Sequence, residues 1–101
     1  MNSQNVLSLL GLAQKAGKIA SGELAVEKSI KSGKAKLIII AADSSDGTKK
    51  RYRDMSQYYQ VPLYEILTKQ QLGSCIGKEY RAALTIADTG LSKAVLKALA
   101  Q

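Results

Sequence analysis

The chain has 101 residues, one cysteine, no histidine and a formal charge of +7, with 15 Lys and Arg against 8 Asp and Glu. This length suits one domain that folds without metals, and a lone Cys75 excludes an internal disulfide framework. No apolar run approaches the roughly 18 residues of a membrane span, and a basic surplus of this size favours a polyanionic partner, nucleic acid above all.

The elements read as alternating helices and strands. Val6, Leu9, Leu10, Ala13 and Ala16 recur at helical spacing, and Gly17 ends that first helix. The run is helical and lacks a basic leader, so it does not read as a signal peptide, and a cytoplasmic location is expected. A short strand follows at Ile19 and Ala20. Ser21 is placed to cap a second helix, with Glu23 and Glu27 near its positive end, Lys28 and Lys31 toward its negative end, and Gly33 as its stop. Residues 37–42 are continuously apolar and rich in isoleucine, which marks a strand covered on both faces and favours parallel pairing. Thr48, Tyr52, Met55 and Tyr59 predict a third helix within residues 46–60. Residues 61–66 form the next strand, which Pro62 places at a sheet edge or at the start of the strand. Thr68 and Gln71 have capping-box spacing, opening a short helix that Gly77 closes. Residues 83–87 form a fourth strand, and Leu91, Ala94, Val95, Ala98 and Leu99 the inner stripe of a last helix. Alternation of this kind builds an α/β fold, a three-layer α/β/α sandwich.

No catalytic constellation is present. Histidine, the best proton shuttle near neutral pH, is absent. There are no metal-ligand spacings, no Walker loop and no dinucleotide fingerprint, so no metal, cofactor or catalytic residue is assigned. Cys75, between Leu72 and Ile76, reads as a buried inert thiol. Asp43, Ser44, Ser45, Asp46 and Gly47 read as a strand-to-helix turn rather than a magnesium site, with Ser45 or Asp46 as the cap.

Three basic features remain. On a helical wheel Gly22, Val26, Ser29, Ile30 and Gly33 face the sheet, while Glu23, Glu27, Lys28 and Lys31 face outward. Leu24 falls among the lysines, either touching a neighbouring loop or offering an apolar contact to a partner. Lys34 and Lys36 extend the positive face at the elbow before the buried strand. The second feature, Lys49, Lys50, Arg51 and Arg53, either grips phosphates or is a solvated helix face. The third is a mobile-looking loop with Lys78, Tyr80 and Arg81. Tyrosine and arginine there can stack on unpaired bases, although Tyr80 can equally pack under the loop.

The run S-G-x(5)-K-x-I-x-x-G-K-A-K-L-I-I-I-A-x-D at residues 21–43 resembles the core of the ribosomal protein L7Ae/L30e family. V-P-L-Y-x-x-x-T-K-x-x-L-G-x-x-I-G, at residues 61–77, is similar to its second signature, and LSLLGLAQKAGKIASG is like the opening of small bacterial members. The resemblance implies an α/β/α sandwich with a mixed four-stranded sheet. It also implies binding to RNA, often to kink-turns, where a duplex bends sharply at a bulge beside tandem G·A pairs. The regions implied in contact are residues 22–28, residues 34–36 with Asp43, and residues 77–82. The family's usual G-x-N-E-x-x-K is altered, since Leu24 and Ala25 stand where asparagine and glutamate would read guanine edges.

The expectation is therefore one RNA-binding domain over residues 1–101, monomeric and non-enzymatic. It is ribosome-associated or ribosomal-protein-like and binds ribosomal or other structured RNA, kink-turn-like or bulged. The implied RNA-binding residues are Gly22, Glu23, Leu24, Lys28, Lys31, Lys34, Lys36, Asp43, Lys69, Lys78, Tyr80 and Arg81. The alternative is a protein-interaction module that docks an acidic partner on the same face.

Overall fold

The computed structural model describes residues 1–101. Its chain order is α1 (Ser3–Lys15), β1 (Ile19–Ser21), α2 (Glu23–Lys31), β2 (Leu37–Ile40), α3 (Asp46–Tyr59), β3 (Leu63–Glu65), α4 (Lys69–Cys75), β4 (Ala83–Ile86) and α5 (Thr89–Leu99). The four strands form one sheet in the order β1-β4-β2-β3. β2 runs parallel to β3 and antiparallel to β4, and β4 is antiparallel to β1, so the sheet is mixed.

The apolar run at β2 explains the layering. Its four side chains are all fully buried, and the period of two sends them to opposite faces. Leu37 and Ile39 join Leu84 and Ile86 against Val6, Leu10 and Ala13 of α1, Leu72 of α4 and Val95 of α5. Ile38 and Ile40 pack on the other face with Val26 and Ile30 of α2 and Tyr52 of α3. The sheet is thus sandwiched between α1, α4 and α5 on one side and α2 and α3 on the other. Each of those isoleucines contributes about 1.5–3 kcal/mol by leaving water.

Several boundaries move from the sequence expectation. β2 stops at Ile40 rather than residue 42, because the chain turns there: Ala42 N–H donates to Leu67 O at 2.8 Å and Ala42 is exposed. β3 shortens to three residues, and Pro62 lies just outside it on an edge strand, its carbonyl accepting from Ile38 N–H at 2.8 Å. β4 ends at Ile86. Ala16 is an exposed cap residue of α1, not part of its buried stripe. The capping box at Thr68 and Gln71 and the ends of α3 fall where the sequence places them.

Candidate nucleic-acid interface

One end of the sheet gathers four chain segments. β2 and β3 point toward it, β1 finishes there and β4 begins there, since Ile40 pairs with both Glu65 and Ala83 and Ser21 pairs with Leu84. The start of α2, the turn after β2, the start of α4 and the loop before β4 therefore share this end.

Ser21 does not cap α2. Strand pairing extends one residue further than expected, so Ser21 closes β1, and its hydroxyl accepts a hydrogen bond from Arg81 Nε at 3.4 Å. The turn into the helix falls to Gly22, whose φ of 87° and ψ of 150° are open to glycine and very few other residues. Gly22 has no side chain to bond the first N–H groups of α2. The other four helices are capped by Asn2, Ser45, Thr68 and Asp88. The start of α2 thus keeps donors and a positive dipole end for an external acceptor.

The loop before β4 is tied down, not mobile as its composition suggested. Lys78 N–H donates to Gly73 O at 2.8 Å, and Arg81 N–H to Lys69 O at 3.0 Å. Ala82 O accepts from Ala41 N–H at 2.8 Å and from Ser44 Oγ at 3.3 Å. The loop lies directly on α4 at Gly73, where a Cβ would meet Glu79 O at 2.5 Å. This platform leaves Tyr80 61% exposed, with Arg81 folded back to donate to Tyr80 O at 2.8 Å. Asp43 belongs to the same scaffold: its Oδ1 accepts from Lys69 N–H at 2.9 Å, joining the end of β2 to the start of α4. Ser45 caps α3 through Thr48 N–H at 3.2 Å, so the acidic turn is a helix start.

The basic run on α3 is mostly neutralised. Lys50 pairs with Asp54 at 2.9 Å, Arg53 forks onto Glu65 with one contact of 2.6 Å, and Arg51 pairs with both Glu23 and Glu27. These hydrogen bonds push the Arg51 and Arg53 guanidiniums above their usual pKa and hold the Glu65 carboxyl below its own. Only Lys49 of that run has no carboxylate partner. Glu23 thus reaches the interface already engaged by Arg51, beside a cleft of about 120 Å³ that also touches Gly22, Tyr52 and Ala82. Burial raises the Tyr52 phenol, and it raises the half-buried Cys75 thiol, which donates to Leu72 O at 3.1 Å.

The expected RNA-binding residues divide into two groups, with Lys28 on α2 between them. Gly22, Glu23, Leu24, Asp43, Lys69, Lys78, Tyr80 and Arg81 meet at the end just described. Leu24 is 84% exposed and shares the outer strip of α2 with Lys28 and Lys31. Lys31 is the last residue of α2, and Lys34 and Lys36 lie beyond it, at the opposite end of the sheet. Lys36 N–H donates to Ile86 O at 2.7 Å, at the finish of β4 rather than its start. A four-residue strand at about 3.3 Å per residue separates the two ends. Lys15, the last residue of α1, and Lys18, immediately before β1, also stand at that opposite end.

Comparison with known proteins identifies the family of this fold. The model of the ribosomal protein L7Ae/L30e/S12e/Gadd45 family fits residues 4–96. An RNA-binding protein YlxQ of Enterococcus faecium is 39% identical over 92 residues, covering 91% of this chain and 88% of the relative. The RNA-binding protein YlxQ of Bacillus subtilis is 36% identical, covering 98% and 99%. The large ribosomal subunit protein eL8 of Thermoplasma volcanium is 33% identical, covering 96% and 81%. A solved protein of unknown function from Bacillus halodurans superposes with a TM-score of 0.88 at 34% identity, covering 95% of this chain and 97% of the other. A 15.5 kD RNA-binding protein of Giardia lamblia shares the fold, with a TM-score of 0.80 at 24% identity and coverage of 97% and 84%. The chain belongs to the ribosomal protein L7Ae/L30e/S12e/Gadd45 family.

Proposed function

We propose that this protein is a non-enzymatic, cytoplasmic RNA-binding domain that acts as a monomer. It engages a bent or bulged RNA, ribosomal RNA among the candidates, at the end of the sheet where α2 and the loop before β4 meet. The observation that carries this reading is the meeting of the uncapped start of α2, the turn after β2 and the Tyr80–Arg81 loop on one rigid platform. Phosphates meet the free N–H groups at Gly22 and the ammonium groups of Lys28, Lys69 and Lys78. Tyr80 offers a ring to an unstacked base. The related proteins named for RNA binding favour RNA over an acidic protein partner.

Leu24 and Ala25 cannot hydrogen-bond a guanine edge, so recognition rests on shape and backbone contacts. A gel-shift titration tests this with a kink-turn RNA, the same RNA with its G·A pairs made Watson–Crick, and ribosomal RNA fragments, at two salt concentrations. The wild type binds structured RNA and separates the two kink-turn forms poorly. Leu24→Asn with Ala25→Glu widens that separation by about 5- to 150-fold, the equivalent of about 1–3 kcal/mol per bidentate base contact. Structured-RNA binding that survives Tyr80→Ala with Arg81→Ala and Lys28→Ala undiminished refutes the placement.

A further inference from the structure

We propose that the opposite end of the sheet is a second RNA contact, built for a single strand, so that one molecule holds two RNA segments at once. The inference rests on RNA as the ligand class and on the distribution of charge. At the α2–loop end, Glu23, Asp43, Asp46, Glu65 and Glu79 stand among the cations, and Arg51 and Arg53 are paired. At the opposite end Lys15, Lys18, Lys31, Lys34 and Lys36 are all exposed, and none has a carboxylate partner. The one acid there, Asp88, is committed to capping α5, its Oδ2 accepting from Leu91 N–H at 2.8 Å. The protein's excess of positive charge is therefore concentrated away from the first interface.

Topology holds these lysines together. Ala87 N–H donates to Lys18 O at 2.8 Å and Lys36 N–H to the adjacent Ile86 O at 2.7 Å, so Lys18 and Lys36 flank the finish of β4. The carbonyls at the end of α2 do not repel an anion as free groups would. Lys28 O accepts from Ser32 N–H, Ser29 O from Lys34 and Ala35 N–H, and Ile30 O from Gly33 N–H. Between α2 and α3 lies a groove of about 300 Å³ lined by Lys31, Lys36, Tyr59 and Pro62 among others. Tyr59 is 37% exposed, and its ring stands edge-on to the 80% exposed Tyr58 at 4.8 Å. Lys31 and Lys36 along a groove with Tyr59 at its wall, and Tyr58 beside that ring, suit a single strand: ammonium groups take phosphates and rings take bases, with little regard for sequence.

The test uses the full chain and a fluorescent oligo(A) RNA, in two formats. Anisotropy at several salt concentrations measures direct binding. Capture measures bridging, with the protein loaded on an immobilised ribosomal RNA fragment and oligo(A) added afterwards. Lys18→Gln with Lys34→Gln and Lys36→Gln should weaken oligo(A) binding at least tenfold. It should also lower the salt slope by about 2, at roughly 0.7 per lost phosphate contact. Retention on the immobilised fragment and the melting temperature should persist. Tyr59→Leu should weaken oligo(A) binding severalfold. Tyr80→Ala with Arg81→Ala should leave direct oligo(A) binding intact. If instead the fragment is still bound by that variant, the proposed primary interface fails while the second contact stands. The inference is overturned if the lysine variant binds oligo(A) like wild type. It is equally overturned if a matched loss of Lys49, Lys93 and Lys97 costs as much, or if the Tyr80 and Arg81 variant loses direct oligo(A) binding.

Discussion

Gly73 sits buried in α4 directly under the loop that presents Tyr80, and Gly73→Ala should therefore disturb the site from behind. The added Cβ lands 2.5 Å from Glu79 O, 2.6 Å from Glu79 C and 2.7 Å from Tyr80 N. All three are backbone atoms, so no side chain can swing away. Restoring an ordinary 3.4 Å contact moves the loop by about 0.9 Å. That shift strains the Lys78 N–H bond to Gly73 O, now 2.8 Å, and the Arg81 N–H bond to Lys69 O. Overpacking costs about 1–3 kcal/mol and alanine gains about 0.5–1 kcal/mol over glycine in a helix, so the midpoints leave a net loss of about 1.25 kcal/mol. For a domain of this size the melting temperature should fall by about 5–10 °C. The amide resonances of residues 78–82 should move, and RNA affinity should drop with them.

Gly47→Ala provides the control. Gly47 lies in the first turn of α3 with nothing within 4 Å of its virtual Cβ, so alanine should stabilise by about 0.4–1 kcal/mol and leave RNA binding unchanged. A Gly73→Ala protein as stable as wild type, with the amides of residues 78–82 in place, would falsify the claim that the loop is braced by α4.

Thr85 is fully buried in β4 and its hydroxyl has no hydrogen-bond partner, so Thr85→Val should stabilise by about 1 kcal/mol and raise the melting temperature by about 4–8 °C; a lower one contradicts the reading. The Glu65 carboxyl, held down by Arg53, should titrate below its usual value of about 4.3 in an NMR pH series, and Arg53→Gln should return it toward that value. Because the folded pKa is lowered, the stability contributed by this pair is fully present above the unfolded pKa and is lost as pH falls through the folded one. Glu65→Gln should accordingly flatten the acid limb of the stability curve; an unchanged limb rejects the coupling.

Much of the fold was legible because local chemistry and tertiary need agree. The isoleucine run had only one place to go, and the Thr68–Gln71 box forms as spaced, Thr68 N–H donating to Gln71 Oε1 at 3.0 Å and Gln71 N–H to Thr68 Oγ1 at 3.1 Å. Failures came where distant residues decide. Ser21 looks like a cap until Leu84 claims it for the sheet. The α3 cations look available until Glu23 and Glu65, from other elements, arrive beside them. Lys34 and Asp43 look like neighbours across a short stretch of sequence, but that stretch is an extended strand and carries them to opposite ends.

That separation bears on how affinity and selectivity are shared. Released counterions give affinity without sequence information, while positioned donors and stacked rings choose the RNA. At the α2–loop end the acids offset much of the positive charge, and braced backbone presents Gly22, Tyr80 and Arg81 in fixed geometry. As the proposed RNA contact, such a surface would discriminate by fit and contribute little to binding until the RNA matches. The lysines at the other end act in the reverse sense. They attract any strand over a Debye length of roughly 8 Å, and have only the Tyr59 groove to sort what they hold. Removing charge at the lysine end should thus weaken single strands of every sequence alike and spare the structured fragment, whereas misplacing the Gly73-supported loop should weaken the structured RNA and spare the single strand. On the proposed two-contact arrangement, one end would gather RNA and the other would select it.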